Sequence, residues 1–81
     1  MTHGFSDEAQ DVLGSLAFSG NHGWKDDYTR RQALRELREL DALGEYDRVL
    51  VAEWMRVAGR YNEDYSRRFS QVLDNFESER W

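Results

Sequence analysis

Neither cysteine nor proline occurs among the 81 residues. The first absence removes disulfide staples, thiolate metal sites and a cysteine nucleophile together. Without proline, helices must be stopped by glycine and by capping side chains. Lysine is nearly absent too, since Lys25 stands against ten arginines. Long apolar runs are missing: Val49–Ala52 is the longest and Glu53 divides it from Trp54–Met55, so nothing is fit to span a membrane. The opening MTHGFSDEAQ has neither the basic start nor the apolar stretch of a secretory signal, and a cytoplasmic location is expected.

What is present describes a small globular unit. Apolar residues make up 40% and charged residues 33%, too apolar for disorder. The length predicts a single domain over 1–81 with one modest core. The net charge of −5 repels phosphate backbones and argues against direct nucleic-acid binding. Eight of the sixteen acids (Asp7, Glu8, Asp26, Asp27, Glu45, Asp47, Glu63 and Asp64) fall at predicted helix starts. There they complement the helix dipole with no partner needed.

Apolar spacing of three and four predicts an all-α, compact four-helix bundle, with helices near 7–18, 27–43, 46–60 and 63–80. Ser6 caps the first, whose stripe is Ala9, Val12, Leu13, Leu16 and Ala17; Gly14 weakens it and Gly20 stops it. Thr29 with Gln32 predicts a capping box on the second, with Tyr28 stapling back to Ala33. Its stripe is Ala33, Leu34, Leu37 and Leu40, and Gly44 ends it. The third is apolar around most of its circumference, which predicts a central position. The fourth carries Tyr65, Phe69, Val72, Leu73 and Phe76 on one face, with Glu63→Arg67 and Asp64→Arg68 expected to pair outside.

The stretch GNHGWKDDYT, residues 20–29, breaks the pattern. Its glycines and aspartates suit a corner that launches the second helix. Trp24 and His22 are left over: Trp24 either closes the bundle as a lid or stays exposed with His22 as an anchor for another protein. His22, Asp26 and Asp27 are metal-ligand types, but their spacing matches no closed site.

Other candidates lie on the helices. Arg31, Arg35 and Arg38 form one ridge that could grip carboxylates or phosphates; Asp27 and Glu39, each four residues from one of them, offer intramolecular pairs instead. On the third helix, Val51 and Met55 are surplus to a Tyr46–Leu50–Trp54–Val57 stripe. They either join the core or form an exposed patch of the kind that marks association. Trp81 has no intramolecular reason and joins the interface candidates.

No serine has a nucleophile context and no glycine loop has phosphate-cradle spacing. These residues favour a small acidic, non-enzymatic protein-protein interaction module without a cofactor. It would act as inhibitor, antidote or adaptor on a basic partner protein, one whose surface can also hold nucleic acid. Small inhibitors encoded by phages and mobile elements share this size and charge, an analogy that goes no further. The alternative is a DNA-associated regulator or antitoxin using the helix-turn-helix-like hairpin around Gly44, with Arg30, Arg31, Arg35 and Arg38 facing DNA. The apolar third helix also permits a homodimer.

Overall fold

The computed structural model describes residues 4–20, 23–58 and 63–80. They form four helices in chain order, α1 (Asp7–Ser19), α2 (Asp27–Ala42), α3 (Arg48–Ala58) and α4 (Glu63–Arg80). Among the described residues there is no strand, and no helix is long and apolar enough to cross a membrane.

Local chemistry explains the boundaries. Ser6 has extended backbone and its Oγ accepts a hydrogen bond from the Ala9 amide at 3.1 Å, which satisfies one orphan donor of α1. α2 is capped by Asp26, not by Thr29: Asp26 Oδ1 accepts from the Thr29 amide at 2.8 Å and from the Thr29 hydroxyl at 2.6 Å. The helix therefore begins one turn earlier than a Thr29 cap would set it, and the orphan donor satisfied is the Thr29 amide, not that of Gln32. Tyr28 is 74% exposed and forms no staple.

α2 ends in a Schellman motif, with the Glu45 amide donating to the Leu40 carbonyl at 3.2 Å and the Gly44 amide to Asp41 at 2.9 Å. This geometry places Gly44 at φ +75°, where a Cβ is disfavoured. α3 starts two residues later than periodicity predicts. Asp47 caps it, its Oδ1 accepting from the Leu50 amide at 3.1 Å. Tyr46 stays outside the helix, its ring 4.9 Å from that of Phe76 and its hydroxyl donating to Glu77 at 2.5 Å.

The helices close into a ring in which α1 packs on α2, α2 on α4, α4 on α3 and α3 on α1. Leu13 and Leu16, Leu37 and Leu40, Val51 and Met55, and Leu73 meet inside it, each at most 1% exposed. Burying each such leucine contributes roughly 1.5–3 kcal/mol. Phe5, ahead of α1, is buried as well. α3 is central only in part: Val51 and Met55 enter the core, while Val49 is 70% and Val57 57% exposed.

Candidate protein interface

Of the two alternatives for α3, Val51 and Met55 take the core, and Tyr46 and Trp54 pack against it as expected. Val51 and Met55, expected as surplus, are buried in the core at 0% and 1% exposure, whereas Leu50 and Val57, expected in the buried stripe, are exposed. Apolar residues cover most of this helix beside Arg48, Glu53 and Arg56, so hydrophobicity alone left more than one side able to face inward. Its neighbours set its rotation. Arg48, at the start of α3, reaches α4 and pairs with Asp74 at 2.7 Å and Glu77 at 3.3 Å. The hydrogen bond that Arg48 donates to Asp74, helped by the charges of Asp74 and Glu77, holds this guanidinium more firmly protonated than usual. Turning α3 toward α4 at this point directs Val51 and Met55 inward.

The outward face of α3 therefore carries Val49, Leu50 and Val57, interleaved with Glu53 and Arg56. Leu50 and Val57 are seven residues apart, as are Val49 and Arg56, so each pair stacks over two turns. Beside this face runs a groove of about 380 Å³ between α3 and α4. Met55, Phe69 and Ala52 contribute its apolar lining, and Arg48, Arg56 and Ser66 its polar lining. An apolar ridge next to a groove with a polar margin can seat a complementary side chain from another protein. This face was missed in the sequence because Val49, Leu50 and Val57 look no different there from Val51.

Trp24 is a lid, not an anchor. It is 2% exposed, with its ring 5.1 Å from that of Phe69 and edge-on to Tyr65 at 6.5 Å. Its φ of +54° is the left-handed region, which only a packed ring would hold in a non-glycine residue. Gly20, by contrast, has φ −86°. It is needed for space, since a Cβ there would fall 2.6 Å from Trp24 Cη2. Gly23 combines both reasons, with φ +77° and a notional Cβ 2.5 Å from Arg68 Nη1. His22 and Trp81 lie outside the described residues.

The arginine ridge on α2 is partly used within the fold. Arg38 pairs with Glu79 of α4 at 3.2 Å. Arg31 and Arg35 are exposed, and among the described residues neither takes part in an ion pair. Asp27, expected to pair with Arg31, instead binds Arg30 at 2.6 Å. Likewise Asp64 pairs with Arg67 at 3.4 Å, not with Arg68. The carboxylates expected beside His22 are thus engaged, Asp26 as a cap and Asp27 with Arg30. Among the described residues no three histidines or carboxylates cluster as metal ligands would.

A second polar link ties the Gly44 hairpin to α1. The Glu45 carboxylate accepts from the Ser6 amide at 2.9 Å and from the Ser6 hydroxyl at 2.6 Å. Hydrogen bonding from the Ser6 side chain, and then from its backbone, holds the Glu45 carboxyl below its ordinary range. One serine hydroxyl thereby donates to Glu45 while accepting from Ala9.

The chain matches no protein-family model, no curated protein and no solved structure.

Proposed function

We propose that this protein is a small, acidic, non-enzymatic module that binds another protein through the outward face of α3 and the adjoining α3–α4 groove. The observation that carries the reading is the exposure of Val49, Leu50 and Val57 beside a groove containing Met55 and Phe69. Exposed apolar surface of this kind costs solvation until a partner covers it. The net charge of −5 favours a partner whose contact rim is basic, because opposite potentials speed encounter and disfavour wrong partners. Exposed carboxylates at Asp7, Glu8 and Asp11 on α1 add to that field. An inhibitor, antidote or adaptor has this character, and nothing in such a role requires a cofactor.

The DNA-associated alternative has less in its favour. Arg48, the one base in the first half of α3, is engaged by Asp74 and Glu77. Asp47, Val49 and Leu50 surround it in place of the polar and basic residues a recognition helix presents.

The test compares the wild-type protein with the Val49→Glu/Val57→Glu variant as bait in extract of the native host. A specific partner retained by the wild type and lost with the variant, while the helical circular dichroism is unchanged, supports the proposal. An identical set of captured proteins, or none with either bait, overturns it. Sedimentation of the two purified proteins reads the other occupant of this face: a wild-type dimer that the variant abolishes would replace the foreign partner with a second copy. A salt-sensitive gel shift with duplex DNA would instead move the assignment to the hairpin.

A further inference from the structure

A second candidate site has a lining of opposite electrostatic character. Between the loop entering α2 and the outer side of α4 is a cleft of about 340 Å³. Lys25, Arg30 and Arg68 line it together with the amide side chains of Gln71 and Asn75, and among the described residues no carboxylate does. Acids outnumber bases sixteen to eleven in this chain. Arg30 is paired with Asp27, and the other two cations leave the lining of the cleft with a net positive charge.

Two of the three cations are held in place. Arg30 Nη1 donates to the carbonyls of Lys25 at 3.2 Å and Trp24 at 3.4 Å, while Nη2 pairs with Asp27. Arg68 lies over the Tyr65 ring at 5.8 Å and against the bare Cα of Gly23. The glycine at 23 thus makes room for a guanidinium, and Trp24, Lys25 and Arg30 form one wall of the cleft. Gln71 and Asn75 are one turn apart on α4, so both amides present to the same side.

We propose that this cleft binds a phosphate monoester. Charge selects the class: Asp27 offsets Arg30, which leaves Lys25 and Arg68, neither in an ion pair among the described residues. Two remaining positive charges match a phosphate monoester, which carries about −1.5 to −2 at neutral pH, better than they match a single carboxylate. Arginine supplies the bidentate geometry that phosphate oxygens accept. The cleft is larger than phosphate alone, and Gln71 and Asn75 offer hydrogen bonds to hydroxyl or peptide groups of the ester's body. The site is separate from the α3 face and does not depend on its role.

The test is a titration of the isotopically labelled full chain with inorganic phosphate, then glycerol 3-phosphate and a phosphoserine peptide, at constant ionic strength. Saturable amide shifts confined to residues 24–30 and 68–75 are expected with phosphate. The tighter of the two esters names the source, small molecule or peptide. Lys25→Gln/Arg68→Gln should weaken phosphate binding by at least about tenfold, the scale of losing one to two charge-assisted hydrogen bonds. Because Arg68 packs against Tyr65 and Gly23, the single Lys25→Gln variant at an exposed position serves where the double variant unfolds, with a severalfold loss expected. Unsaturable shifts, shifts scattered over the surface, or undiminished affinity in Lys25→Gln would overturn the assignment.

Discussion

The six-membered ring of Trp24 rests directly on Gly20, so closely that a Cβ at position 20 would lie 2.6 Å from Cη2 and 2.7 Å from Cε2. Two residues of one corner are therefore a single packing unit: the lid closes only because the helix it closes upon ends in a residue without a side chain. Gly20→Ala should push the indole outward and destabilise the domain by about 1–3 kcal/mol, as overpacking does. Urea denaturation measures the loss, and a red shift of tryptophan emission should accompany it. An unchanged midpoint and spectrum would mean the ring has room to move.

Two other glycines should respond in opposite directions. Gly14 sits in the interior of α1 with open space around it, and Gly44 has the same space but φ +75°. Gly14→Ala should stabilise by about 0.5–1 kcal/mol, since glycine in a helix carries excess unfolded-state entropy. Gly44→Ala should destabilise by about 1–2 kcal/mol, because a Cβ is forced into the left-handed region. Thermal midpoints of the two variants on either side of the wild type would bear this out; midpoints on the same side would not.

The Ser6–Glu45 clamp predicts a pH dependence with a definite sign. Glu45 has its folded pKa depressed below the ordinary 4.5 by hydrogen bonds from Ser6. Its stabilisation is therefore fully present above the ordinary carboxylate value and is lost as pH falls through the depressed one. The gap in urea midpoint between wild type and Glu45→Gln should be constant near neutrality and narrow in acid below the ordinary value. A gap as wide in strong acid as at neutral pH would show that the carboxylate charge contributes nothing. Ser6→Ala should also release the Glu45 pKa upward, which carboxyl-carbon titration reads directly, and should cost about 1 kcal/mol through the lost cap of α1.

Val49 and Val51 differ by two positions and by everything in environment, at 70% and 0% exposure. Val51→Ala should cost about 2 kcal/mol by removing buried methyls and leaving a void. Val49→Ala should change stability by less than about 0.5 kcal/mol. Equal effects at the two sites would place α3 in the wrong rotation and with it the proposed interface.

Some of this molecule was legible before any coordinates. Ser6, Gly44 and the stripes on α1, α2 and α4 act through neighbours within one turn, and local hydrogen bonding and 3.6-residue spacing announce them. Thr29 shows the limit of that reading. It belongs to the right cap, but Asp26 three residues earlier performs the capping, and two suitable side chains at adjacent turns look alike until one is chosen. The candidate site was less legible still: the arginine ridge was visible, yet Arg38 is spent on Glu79 and Arg30 takes the aspartate expected for Arg31.

By itself the sequence determined that four helices form, roughly where each begins and ends, and that three of them have one apolar side to bury. These are consequences of short-range periodicity and capping chemistry. Only the tertiary structure decided which side of α3 faces inward, that Trp24 closes over Gly20, and that Lys25, Arg30 and Arg68 meet in one cleft. The first and third depend on contacts between residues far apart in the chain, and Trp24 is held over its near neighbour Gly20 by Tyr65 and Phe69 of α4. A helix with more apolar residues than one face can hold, or a loop with several glycines, carries too little local signal to select one arrangement over another.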